Sequence, residues 1–103
     1  MPVALPGLQD EVYAESAPVS VTRVAPEYPS MAKDADVSGL VVTHVIVGGD
    51  GRVHDVRVDH RHSVMMLDEA ASQAARQWVF KPARVNEHPV AVWVAVPFNF
   101  RLQ

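Results

Sequence analysis

The sequence predicts an α+β domain: a three-stranded antiparallel sheet, order 2-1-3, packed against two helices. Three observations carry this. First, Leu67, Ala70, Ala71, Ala74, Ala75 and Trp78 recur at helical spacing and form one apolar stripe, the mark of a helix lying on a sheet. Second, Asp50-Gly51 stands between two strand-like runs, and this pair tolerates the positive φ of a tight hairpin. Third, Val90, Val92, Val94, Val96, Phe98, Phe100 and Leu102 share one parity, the period of a strand with one buried face. The opposite parity carries Pro97, which has no N–H to give a ladder. The last strand therefore belongs at an edge, with position 97 facing outward, and its neighbour is the first strand.

The chain has 103 residues, 49% of them apolar, and a net charge of −3. This fits one folded domain with a modest core. No Lys/Arg run exists, so a phosphate-backbone partner is disfavoured and no nucleic-acid binding is expected. Without cysteine there is no disulfide and no thiolate nucleophile or metal ligand, which is compatible with an oxidising compartment. No apolar run approaches the ~18 residues of a membrane span, and the start lacks the basic region of a signal peptide. The chain reads as a soluble piece, whole or excised.

Residues 1–23 contain Pro2, Pro6, Pro18 and a small acidic group, Asp10, Glu11 and Glu15. They read as a flexible arm or linker, within which Ser20–Val24 alternates weakly enough to suggest a short strand. The domain proper is 24–103. Over 26–39, Pro29 suits a helix start, Met31, Ala32 and Ala35 share a face, and Gly39 lies beyond the end. Tyr28 precedes that helix, where an aromatic packs against the core. Residues 40–47 are continuous and β-branched, a strand largely buried on both faces. After the Gly48–Gly51 turn, Val56 and Val58 alternate with Asp55, Arg57 and Asp59, so one side of the returning strand meets water. The long helix spans 67–82, where Pro82 stops it. Trp78 ends its stripe and is expected to be buried between helix and sheet. Residues 83–89 read as a loop, and 90–102 as the final strand.

Nothing in the chain assembles catalytic chemistry. Ser16, Ser20, Ser30, Ser38, Ser63 and Ser72 sit in no nucleophile-elbow motif. Asp68 and Glu69 fall in a first helical turn, where the helix dipole already explains acids. The glycines at 48–51 precede no helix and make a turn rather than a phosphate cradle. His54, His60 and His62 are close in sequence but lack the spacing of metal ligands. No enzyme, cofactor or metal is expected. Two features remain: a long, regular edge strand with Trp93 on its less apolar face, and the turn Pro26–Pro29, expected beside it. An open edge offers a row of N–H and C=O groups to an extended peptide.

Taken together, the segments resemble the C-terminal domain of the TonB family of energy transducers. The matching pieces are Tyr28-Pro29 with Ala32, Gly39 and Val41, and then Asp50-Gly51-Arg52-Val53. They continue with Leu67-Asp68, Ala70-Ala71, Trp78, Phe80 and Pro82-Ala83, and end with Pro89-Val90, Val96-Pro97 and Phe100. Two positions depart: His60, Arg61 and His62 stand where small residues and glycine are usual, and no glycine lies near Glu87. The resemblance implies a periplasmic setting in a Gram-negative bacterium. It implies a parent anchored in the inner membrane and driven there by a motor complex through a region outside this chain. It also implies binding of the TonB box, an extended segment of outer-membrane transporters, by strand addition at the last strand. By position, the partner-binding residues are Arg23, Val24, Ala25, Pro26, Glu27 and Tyr28 of the turn, and Val90, Val92, Trp93, Val94 and Val96 of the strand. A strand-swapped homodimer is compatible with the same resemblance. The alternative is an envelope or sensor module that binds a partner protein or cell-wall polymer and transduces nothing.

Overall fold

Residues 17–102 are described by the computed structural model of the chain. Their elements run β1 (Val19–Thr22), α1 (Ser30–Asp34), β2 (Gly39–Val47), β3 (Val53–Val58), α2 (Met65–Arg76), β4 (Val79–Lys81), β5 (Ala83–Val85), β6 (His88–Val90) and β7 (Val92–Phe100), with a 3₁₀ turn at His60–His62 before α2. β2 pairs antiparallel with β3 on one side and β7 on the other, so the main sheet is β3-β2-β7. Its register with β7 is unbroken from Gly39↔Phe100 to Val47↔Val92.

α2 lies on the sheet face that carries Val41, Val45, Val47, Val96, Phe98 and Phe100. It buries Leu67, Ala71, Ala74 and Ala75 there. The alanines have little side chain to hold the helix axis away, so the helix approaches closely. Thr43 is a fully buried polar side chain on that face, and its hydroxyl donates to the Val96 carbonyl at 2.8 Å. The interruption in an otherwise apolar strand is thereby satisfied.

The geometry of Pro97 follows from the ladder. The Val42 carbonyl accepts from the Asp59 amide at 2.8 Å, on the β3 side. In an antiparallel ladder, successive residues face alternate neighbours. Val42 therefore faces away from β7, and its cross-strand partner Pro97 faces away from β2. The missing N–H lies on the outer edge and costs the sheet nothing.

The series of strands continues past β3. Arg52 bridges antiparallel to Val79, and the Phe80 amide donates to the Gly51 carbonyl at 2.8 Å. β4 then pairs antiparallel with β1, with Ser20 opposite Phe80. Gly51 permits this approach: its φ is +80°, and a Cβ there would come within 2.1 Å of the Phe80 oxygen. Backbone pairing thus runs β7–β2–β3 in one sheet and β4–β1 in another, the two joined by the Arg52–Val79 bridge just before β3.

Several expectations are corrected. The sequence reading commits to three strands and only suggests a fourth at Ser20–Val24; the described residues add four short ones of three or four residues each, too short to display a clear period. Val19–Thr22, inside the stretch read as an arm, is β1, while residues 1–16 of that stretch lie outside the described residues. Residues 83–89 are a hairpin: β5 and β6 pair Ala83↔Val90 and Val85↔His88, turning at Asn86 and Glu87, both with positive φ. Val90 therefore belongs to β6, and the last strand is Val92–Phe100. α2 starts two residues before Leu67 and ends at Arg76. Trp78 consequently lies past the helix and is half-buried, packed at the margin of the core.

Candidate functional site

β7 has β2 on one edge and no strand on the other among the described residues. By the alternation that places Pro97, the backbone groups of Ala95 and Asn99 face that outer edge; Pro97 offers a carbonyl alone. Ala95, Pro97 and Asn99 expose their side chains, whereas Val92, Val96, Phe98 and Phe100 are buried. Beside this edge runs a cleft of about 470 Å³. One wall is Pro18, Val19, Ser20 and Arg23; the other is Val94, Ala95, Val96 and Pro97; Trp78 and Phe80 line it between them.

Trp78 is held on several sides. Its indole N–H donates to the Val24 carbonyl at 2.9 Å. Its ring meets Phe98 edge-on at 5.8 Å and tilts over Phe80 at 6.0 Å. The Arg23 guanidinium lies 5.8 Å from the ring centroid, and Arg23 Nε donates to Ser20 Oγ at 2.8 Å. The cleft is therefore apolar at its base, with a cation at one wall.

The structure brings together some of the residues picked out by sequence and separates others. Arg23, Val94 and Val96 reach the cleft, and Val24 anchors its tryptophan. Ala25 and Glu27 line a different hollow of about 600 Å³, against Met66 and Gln73 of α2. The expected place of the Pro26–Pro29 turn beside the β7 edge is thus corrected: the chain passes along the helix there. Pro26 is half-buried. Tyr28 packs edge-on to Phe100 at 5.5 Å and donates its hydroxyl to the Val37 carbonyl, which is a core role. Val90 is in β6, Val92 is buried, and Trp93 lies with His44, Arg57 and Asp59 on the opposite face of the sheet. Sequence reasoning misses Ser20, Trp78 and Phe80 as cleft residues. The signal for Trp78 was its indole N–H, which a purely apolar site would leave unpaired.

Several of the polar side chains weighed for chemistry have structural partners. Asp68 accepts from the Val64 amide at 2.8 Å and from the Ser63 hydroxyl, which satisfies the start of α2. Glu69 accepts from Gln73 at 3.0 Å. His54 Nε2 sits 3.0 Å from Asp50, whose carboxyl is held below its usual range first by the Arg52 amide and then by His54. Among the described residues, no group of three or more His, Asp or Glu is placed to hold a metal, and no helix is long and apolar enough to cross a membrane.

Residues 24–102 match the family model described as Gram-negative bacterial TonB protein C-terminal. The chain belongs to this family. Protein tonB2 of Pseudomonas aeruginosa is 35% identical over 78 residues, covering 76% of this chain and 29% of that protein. Protein TonB of Xanthomonas campestris pv. campestris is 42% identical over 77 residues, covering 75% of this chain and 34% of that protein. This TonB C-terminal domain thus spans about a third of the length of those relatives. Its fold is similar to the solution NMR structure of the Pseudomonas aeruginosa TonB CTD, with a TM-score of 0.68 and 28% identity over 93% of this chain and 92% of that one.

Proposed function

We propose that the chain is the periplasmic peptide-binding domain of a TonB-like energy transducer, and that it takes the TonB box of an outer-membrane transporter as a strand along the outer edge of β7. Membership in the family supports the transducer, the setting and the class of partner. The observation that carries the binding mode is the outer edge of β7 running along a cleft floored by Trp78 and Phe80. The inner-membrane motor acts through a region outside this chain.

Energetics divides the work between backbone and side chains. Ala95 and Asn99 each present a donor and an acceptor, and Pro97 an acceptor, so a one-sided ladder there makes about five bonds. At about 1 kcal/mol net each, these give about 5 kcal/mol before the peptide is ordered. A micromolar complex needs about 8 kcal/mol. Apolar contact with Trp78 and Phe80, and charge contact with Arg23, supply the rest.

The test is a titration with a synthetic TonB-box peptide followed by backbone NMR. Amide shifts are expected at Ala95 and Asn99 and at the Trp78 indole. Arg23→Ala is expected to weaken binding up to about fivefold with the fold unchanged, since an exposed charge contact contributes up to about 1 kcal/mol. Shifts confined to α2, or none at millimolar peptide, remove this reading.

A further inference from the structure

The series β7–β2–β3–β4–β1, joined through the Arg52–Val79 bridge, has two ends, and both border the same cleft. Among the described residues, β7 is paired to β2 alone and β1 to β4 alone. Val19 and Ser20 line one wall of the cleft and Ala95 and Val96 the other, with Phe80 between. We infer that a segment bound there pairs on both sides, with β7 and with β1, and closes the series into a ring around the Trp78–Phe80–Phe98 cluster. The inference rests on strand addition at β7 and goes beyond it, because it makes the partner segment an inner strand.

Backbone chemistry favours two-sided pairing. In an extended segment, alternate residues point their N–H and C=O groups to opposite sides. Pairing with β7 alone would leave half of these groups facing the β1 wall, with water in place of a backbone partner. A second ladder satisfies them and supplies backbone bonds that one ladder lacks. Closure also removes two open edges at once. One face of the segment then rests on Trp78 and Phe80 while the other meets solvent, so the segment that fits alternates apolar and polar side chains.

The probe is a capped heptapeptide of alternating valine and threonine with a short acidic tail for solubility. A single N-methyl group is placed at each inner residue in turn, and binding to the full chain is measured. Each methyl removes one donor, worth about fivefold in affinity. Two-sided pairing predicts a loss of at least about fivefold at residues of both parities, together with slower amide exchange across Val19–Thr22 in the complex. A loss at one parity only, with β1 exchange unchanged, overturns the ring and leaves strand addition standing. A peptide indifferent to methylation at either parity, or one that does not bind at millimolar concentration, overturns both.

Discussion

Asp59 shows how much one side chain can join. Its carboxylate accepts from His44 on β2 at 3.1 Å, from the Arg61 amide at 2.9 Å and from the Arg61 guanidinium at 3.3 Å. It thereby ties the central strand to the 3₁₀ turn that leads into α2. The carboxyl is held well below the usual range, first by the Arg61 guanidinium, then by the Arg61 amide and His44. A carboxyl depressed in the folded state contributes stability above its unfolded value, about 3.9. That contribution is lost as the pH falls through the folded value. Melting temperature should therefore be level above about pH 5 and fall below about pH 4, and Asp59→Asn should lower it at pH 7 and flatten the acid limb. Scanning calorimetry across pH checks both. A strand reading of the sequence places Asp59 on a solvent face and goes no further, because its partner His44 lies fifteen residues away and no periodicity records it. Trp78 has the same history: its place in the stripe indicates packing, but the carbonyl that its indole finds is 54 residues earlier.

The elements legible in the sequence are those long enough to repeat a pattern. β2, β3, β7 and α2 follow from β-branched runs, the Asp50-Gly51 turn and the alanine stripe. The β5–β6 hairpin does not, since its turn is Asn86-Glu87, without the glycine that advertises such a turn, and Pro89 argues against a strand. Yet Glu87 has φ +67°, a region that costs a side chain about 1–2 kcal/mol. The glycine missing from the sequence thus points to the strained residue. Glu87→Gly should stabilise the domain by about 0.5–1 kcal/mol, the relief of that strain less the entropy of an added glycine. The bond from Arg84 to the Glu87 carbonyl survives, since it uses the backbone. A shift of the urea midpoint to higher concentration is the expected reading; a shift to lower concentration would mean that the turn tolerates glutamate without strain. β1 left only the weak alternation of Ser20–Val24 and β4 left no trace, for a different reason: their pairing depends on Gly51, whose sequence context advertises a hairpin and says nothing of a third strand approaching from behind.

At the scale of the whole molecule, protection should grade along the paired series. β2 is bonded on both sides over most of its length and should show the slowest amide exchange, whereas β1, four residues with an irregular register, should exchange fastest among the strands. The candidate site was only half legible for the same reason. The β7 edge can be read from Pro97 and a period of two, but the facing wall belongs to β1. The outward nitrogen of Pro97 also has a consequence for self-association. Two copies of this chain joining β7 to β7 would do so about a twofold axis, and every residue of such a seam appears twice. The gap left by Pro97 is then doubled, while a foreign segment meets it once. The edge thus discriminates by symmetry, disfavouring its own twin more than a stranger. Pro97→Val should remove that discrimination and make sedimentation of the chain concentration-dependent.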